Sequence, residues 1–471
     1  VNEQYVAETP LTLEALASAL DGAFAVRSVG AGTRELTFYD TFDGLLYAAG
    51  IELALAEGEA IPAAAREAAE GRALLALARV RIASETVAVL DELDKTVARL
   101  ELLAPDGLTP RVTLTGLRGY ERERAEVAAA LALAAAPQSL RDEAILAAGG
   151  RPEGISAKVR VALDPAERAD AATARVLGAL WEVIEANLPG TLADTDVEFL
   201  HDYRVSVRKT RSVLKELTEV FPPATLAYWR GEFRWLQQIT GDTRDLDVAV
   251  SDFDALAGLV GAEDQAALVP LASVLANRRA AARRVMVREL RSERAHALAR
   301  DWAGFMAGLT DFPVLDRPAA AATINTVAGV RIATVYRRMV KLGEAIDAES
   351  PAEDYHELRK HGKELRYLLE LFGVPLHDAE VVKPMVKALK DLQDVLGRHQ
   401  DREVQATMVR GLADEVSGLP GGPAALVAMG ALVRALGADE AAARGEFAEA
   451  FAAFSSADQR GLVKTTFGRR A

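Results

Sequence analysis

The sequence predicts an α+β N-terminal domain followed by an all-α domain, itself a helical bundle of two tandem, pseudo-twofold-related units of roughly four helices each. Three observations lead there. The 471-residue chain is 50% hydrophobic and 26% charged, rich in Ala, Leu, Arg and Glu and poor in aromatics, a composition that favours helix. Strand-like segments are confined to the first 150 residues. And "HDYRVSVRKTRSVLKEL", from His201, is echoed 155 residues later by "HELRKHGKELRYLLELF", from His356.

In chain order, "TLEALASAL" (12–20) has helical periodicity. "RELTFYDTF" (34–42) reads as a strand, and "TVAVLDELDKTVARLELL" (86–103) as a hairpin turning at "DELDK". "IPAAAREAAEGRALLAL" (61–77) and "ERERAEVAAALALAA" (121–135) read as helices. The Gly- and Pro-bearing "AAGGRPEGIS" (147–156) marks a boundary between domains at 1–150 and 157–471. Beyond it the pattern is helical, with breaks expected at "LPG" (188–190), "FPP" (221–223), "DFPVLDRP" (311–318), "ESP" (349–351), "FGVPL" (372–376) and "GLPGGP" (418–423).

The second domain repeats itself. "FRWLQQITGDTRDLDV" (233–248) matches "ALKDLQDVLGRHQDREV" (388–404) at an offset of 156, pairing Leu236 with Leu392, Gln237 with Gln393, Gly241 with Gly397 and Asp245 with Asp401. Two landmarks at nearly one offset indicate a tandem duplication, with halves at about 157–310 and 318–471.

Charge is unevenly spread. Residues 1–150 hold 13 Lys/Arg against 23 Asp/Glu, whereas the rest holds 42 against 46, within a net charge of −14. That balance argues against a general nucleic-acid coat and places any anion site in a local cluster of the second domain. Such a cluster exists. From each His, cations recur at +3, +7 and +10: Arg204, Arg208 and Arg211 in one segment, Arg359, Lys363 and Arg366 in the other. On a helix these positions form one stripe about 80° wide and about 15 Å long. Val205, Val213, Leu214 and Leu217, or Leu365, Leu368, Leu369 and Phe372, lie opposite and suit a core. Stacked like charges repel, so a partner is required. The neighbouring acids Asp202, Glu216, Glu357 and Glu364 lie at scattered angles and screen only in part. Arg and Lys in this register suit phosphate oxygens, and a His can donate or become charged beside them. Two such helices are expected to line one shared groove that fits a flexible, repetitively charged ligand. Arg337, Arg338 and Lys341, and the one-sided Lys383, Lys387 and Lys390, are further candidates.

The two segments, each followed by an "LQ…G…D" stretch, resemble the halves of a CHAD domain (conserved histidine α-helical domain) over about 157–466. The resemblance implies an all-helical twofold bundle whose basic groove binds inorganic polyphosphate. Carried over by position, the groove residues are His201, Arg204, Arg208, Arg211, His356, Arg359, Lys363 and Arg366, with Lys209, Lys215, Arg234, Lys360 and Lys390 as additions. The first 130 residues resemble a CYTH domain, the triphosphate-tunnel fold. "FYDTFDGLLYAAGIELAL" (38–55) is similar to that family's "YYDT…L…G…LRLR" strand pair. The chain departs from the active pattern: "VNEQYVAET" contains no Glu-x-Glu-x-Lys, and "ELAL" (52–55) replaces the basic "LRLR". Without metal-binding carboxylates or a cationic tunnel, the resemblance implies a domain with no triphosphatase activity.

No catalytic residue, cofactor or metal site is expected. Cysteine is absent, His356 and His361 diverge by about 140° on a helix, and no Walker-type or G-x-S-x-G motif occurs. His399 is assigned to capping or packing at a helix end. "AEVAAALALAAAP" and "AALVAMGALVRALGA" are too short to span a bilayer, and no signal peptide is visible, so a cytoplasmic setting, at polyphosphate granules, is expected. The alternatives are a triphosphatase with a variant site and a nucleic-acid binder. The second is disfavoured because the stripes carry one tyrosine each, Tyr203 and Tyr367, and no stacking platform.

Overall fold

The computed structural model describes residues 3–468 apart from 8, 21, 133 and 348. Val1, Asn2 and Glu8 of the opening segment fall outside the described residues. The chain folds as two compact units that divide between residues 156 and 157.

The first unit is a seven-stranded antiparallel sheet, β1 (Glu3–Val6), β2 (Ala25–Asp40), β3 (Leu53–Leu55), β4 (Leu75–Leu90), β5 (Thr96–Pro105), β6 (Arg111–Gly116) and β7 (Ala134–Ala135), in the order β3-β2-β4-β5-β6-β1-β7. Five helices accompany it: α1 (Leu13–Ala19), α2 (Leu45–Ala48), α3 (Ala63–Ala68), α4 (Glu121–Leu131) and α5 (Leu140–Ala147). The expected β4–β5 hairpin forms because Asp91 accepts the backbone N–H groups of Leu93 and Lys95, both at 2.9 Å. Two helix expectations need correction. The helix read over 61–77 stops at Ala68, because Glu70 and Gly71 turn at positive φ; Leu75 and Ala76 then pair with Asp40 and Tyr39. The helix over 121–135 stops at Leu131, with Ala132 left-handed and Ala134–Ala135 bridging to β1. The acid of "YDT" is structural: Asp40, 0% exposed, accepts N–H bonds from Thr41, Leu46 and Tyr47 and pairs with Arg141 at 2.7 Å.

The second unit is all helical: α6 (Ala169–Ala193), α7 (Val197–Glu216), α8 (Pro223–Ile239), α9 (Gly241–Ser251), α10 (Phe253–Ala257), α11 (Ala262–Ala267), α12 (Val269–Leu290), α13 (Glu293–Ala307), α14 (Ile324–Gly343), α15 (Ala352–Leu368), α16 (Val374–Leu376), α17 (Ala379–Gly411), α18 (Ala413–Ser417), α19 (Gly422–Phe454) and α20 (Ala457–Phe467). The duplication is visible where α6 and α14 begin. Ala169 N–H bonds to the Ala322 carbonyl and Ile324 N–H to the Glu167 carbonyl, both at 2.8 Å. Asp170 N–H bonds to Ala320 and Asn325 N–H to Pro165 in the same reciprocal way. Each pair is one bond and its image 155 residues on, the signature of a local twofold axis.

One core serves both halves. It joins Leu177, Leu180, Val207, Phe233 and Trp302 to Ile332, Met339, Leu365, Leu392 and Phe451. A second cluster, from Leu271 and Leu275 to Val409 and Leu432, packs α9–α12 against α17–α19. The break expected at "LPG" does not occur, since α6 runs through Pro189. Its flanks are held by burial, and Gly190 lies so close to the Phe199 ring that a Cβ would sit 2.2 Å from it. That packing offsets the lost backbone bond, which costs about 3 kcal/mol in an unsupported helix. The break at "FGVPL" is displaced to His377, after a π-helical turn at Leu369–Gly373. The other expected breaks fall between helices. One difference between the halves bears on the site: α17 is continuous over 33 residues, whereas its counterpart is divided into α8 and α9 at Thr240.

Candidate functional site

The stripe residues sit on α7 and α15, which pack against each other. Asp196 starts α7 by accepting N–H bonds from Glu198 and Phe199. Val213, Leu214 and Leu217, with Leu365, Leu368, Leu369 and Phe372, are buried as expected. Val205 is not; it lines a cleft instead.

Two connected clefts open along these helices and share lining residues. The larger, about 910 Å³, is lined by His201, Arg208, Lys209, Arg359, Lys363 and Arg366, among others. The smaller, about 590 Å³, is lined by Arg208, Arg211, Lys215, Arg234, Lys360 and Lys363, with Arg230 and Gln237. Arg208, Lys363 and Tyr367 belong to both and form the neck between them. The clefts are themselves twofold images: Arg208 corresponds to Lys363, Arg211 to Arg366, Ser212 to Tyr367 and Gln237 to Gln393. The larger has eight Lys/Arg on its walls against four Asp/Glu, the smaller seven against one, in a chain of net charge −14. Local sequence therefore reverses the sign of the whole molecule here.

The cations differ in how they are held. Lys363, half-buried at the neck, makes neither a hydrogen bond nor an ion pair among the described residues, and burial, followed by Arg359 and Arg208, pushes its pKa down to about 8. Arg208 donates through Nε to the Tyr367 hydroxyl at 3.3 Å and has no carboxylate partner, and Arg234 is exposed and unpaired. By contrast, Lys209 is 3.0 Å from Glu370, and Lys215 bonds to Glu364. These two bridges are symmetry mates with reversed sign, and they tie α7 to α15. Glu370 also holds Arg366 at 2.6 Å. Burial alone would raise the pKa of Glu370, but Lys209 and Arg366 outweigh it and keep the carboxylate ionised. Arg359 meets Asp401 at 3.0 Å, and Lys360 meets Glu357 at 2.6 Å.

Arg204 is placed differently from the groove position expected of it. It is 8% exposed and donates to the Gln237 carbonyl at 2.8 Å and to Thr240 Oγ1 at 2.7 Å, satisfying the end of α8. Burial lowers its pKa to about 10, with Arg208 adding to the effect, so it stays cationic at neutral pH. It lines neither cleft, and neither does His356, whose Nδ1 meets Gln400 Oε1. Arg337, Arg338, Lys341, Lys383, Lys387 and Lys390 are exposed and also lie outside both clefts. They sit on α14 and the first turns of α17, turned to solvent. His399 lies inside α17 rather than at a helix end, buried and stacked on Tyr355 with centroids 4.8 Å apart. The arginines of α12 serve structure: Arg279 pairs with Asp194 and Asp247, and Arg283 donates to the Thr191 and Leu192 carbonyls.

Sequence reasoning missed several lining residues. Arg230 precedes Arg234 by one turn, a readable signal, and donates to the Leu214 carbonyl at the end of α7. Arg398 adjoins the Gly397 landmark and pairs with Glu446. Gln393 is the unpaired counterpart of Gln237: Gln237 accepts a bond from Arg211, whereas Glu370 draws Arg366 away, leaving both polar atoms of Gln393 without a partner. Lys158 and Arg160 precede the first helix of this unit. Among the described residues, no group of three or more His, Asp or Glu could hold a metal ion, and no helix is long and apolar enough to cross a membrane.

Comparison with known proteins agrees with this architecture. The crystal structure of the CHAD domain from the plant Ricinus communis superposes with a TM-score of 0.53 at 24% identity, covering 62% of this chain and 95% of that one. PptA from Streptomyces chartreusis gives 0.48 at 20% identity, covering 60% and 99%. No curated protein matches the sequence. The CHAD domain family model matches residues 175–410, half of the chain and the stretch that carries α7, α15 and most of the residues lining the clefts, and the protein belongs to the CHAD domain family.

Proposed function

We propose that the protein binds inorganic polyphosphate in the two clefts and does not turn it over. The carrying observation is the neck, where Arg208 and Lys363 converge from the two repeats with no carboxylate partner. A half-buried lysine without a counter-ion is costly. A phosphate chain running from one cleft into the other supplies the missing charge repeatedly, which a single small anion does not. The cleft over the first unit's sheet supports the non-catalytic part of the reading. Its charged lining consists of Glu85 and Arg111, and Arg111 is committed to Glu143 at 2.5 Å and to the Gln138 and Ser139 carbonyls. Association with polyphosphate granules follows if the chain is held as proposed.

The test is a titration with polyphosphate of defined length, against orthophosphate and a single-stranded DNA oligomer. Binding that tightens with chain length, with orthophosphate and DNA weak, is expected. Arg208→Ala with Lys363→Ala is the disabling variant, since neither side chain caps a helix end as Arg204 does for α8. Normal binding by that double variant, or equal competition by DNA, refutes the reading. Phosphate release from tripolyphosphate with Mg²⁺ refutes its non-catalytic part.

A further inference from the structure

The larger cleft has a wall that belongs to no helix. Residues 157–163, "AKVRVAL", form a non-helical stretch at the start of the second unit, before α6, with a bend at Ala157 and Lys158. Burial alternates along it, residue by residue. Here Val159 and Val161 pack against the bundle core and Leu163 is buried, while Lys158 and Arg160 are exposed and line the cleft. The stretch is fastened at both ends: Lys209 Nζ donates to the Ala157 carbonyl at 3.2 Å, and Arg175 donates to the Ala162 carbonyl at 2.9 Å. Among the described residues, Arg160 has neither a hydrogen-bond nor an ion-pair partner. The stretch also precedes residue 175, where the family match begins.

We propose that residues 157–160 are a cationic strap that completes the larger cleft and engages the bound polyphosphate through Lys158 and Arg160. The proposal rests on the polyphosphate reading above. Three features carry it. The alternation docks the strap on the core by its valines and leaves Lys158 and Arg160 exposed on a cleft wall that Ala157 and Val159 also line. Lys209 is held near Glu370 yet also anchors the strap, so one residue of α7 joins the strap to the inter-repeat bridge. Finally, the twofold-related cleft has no strap residue on its walls. The strap therefore adds to the differences between the two related clefts, and the larger is the one with an added wall.

The experiment uses the full chain and polyphosphate of defined length. Lys158→Gln with Arg160→Gln is expected to weaken binding about tenfold and to lower the slope of log affinity against log salt by about two, one per lost phosphate contact. Bound polyphosphate is expected to slow tryptic cleavage after Lys158 and Arg160 relative to cleavage after the exposed Arg122 of the first unit. Wild-type binding together with an unchanged affinity and slope in the variant, and no protection after 158 and 160, overturns the strap alone. Failure of the wild type to bind overturns the reading of the clefts, and the strap with it.

Discussion

Lys363 carries the sharpest consequence at the scale of single residues. Its amine titrates near 8, below its range in an unfolded chain, so the folded protein binds fewer protons between about pH 8 and the ordinary lysine value. Stability of the free protein rises with pH across that window and levels off at its lower value below about 8, where the buried charge is carried in full. Polyphosphate reverses the preference, because an anion at the neck favours the protonated amine. Binding is therefore expected to take up a proton near pH 8–9, read by calorimetry in buffers of different ionisation enthalpy, and Lys363→Arg should abolish that uptake. Lys363→Met should raise the melting temperature by about 2 °C while weakening polyphosphate binding at least about tenfold. A lower melting temperature would show that the lysine is not a strained charge. The sequence placed Lys363 on the basic face. It did not reveal that Lys363 and Arg208 lack counter-ions while Lys209 and Lys215 have them, because the partners Glu364 and Glu370 lie about 155 residues away in the chain.

At the scale of elements, the repeats use equivalent residues for different ends. Arg204 ties down the end of α8, whereas Arg359 faces the exposed Asp401 beside an unbroken α17. Arg204→Ala should cost about 2–3 kcal/mol, since it strips buried charge-assisted bonds from a helix end. Arg359→Ala should cost less than about 1 kcal/mol. Urea denaturation measures both, and equal costs would contradict the assigned roles. The two Lys–Glu bridges between α7 and α15 compete with any anion for the same cations. Glu370→Gln should loosen that contact and raise polyphosphate affinity about fivefold, as Arg366 is released. Unchanged affinity in a titration would place Arg366 outside the binding path. The break read at "LPG" failed at this scale too: proline predicts a stop from local chemistry, but the packing of Gly190 on Phe199 is a tertiary term.

At the scale of the whole molecule, a protein of charge −14 gathers an excess of cations on the walls of two clefts of one bundle. Affinity for polyphosphate should fall steeply with salt, with a double-logarithmic slope of at least about three, one each for the unpaired Arg208, Lys363 and Arg234. A slope near one, from titrations across a salt series, would mean a single ion pair and no threaded chain. The sequence by itself determined the strand-rich and helical parts, the duplication and the basic faces of α7 and α15, because helical period, strand alternation and repeat offset are local properties of the chain. Only the tertiary structure decided which cations remain unpaired, that one groove is two clefts meeting at a neck, and that Arg204 faces a helix end. Those outcomes depend on carboxylates, carbonyls and core contacts brought together from distant segments, and charge pairing in space leaves no trace in the order of residues.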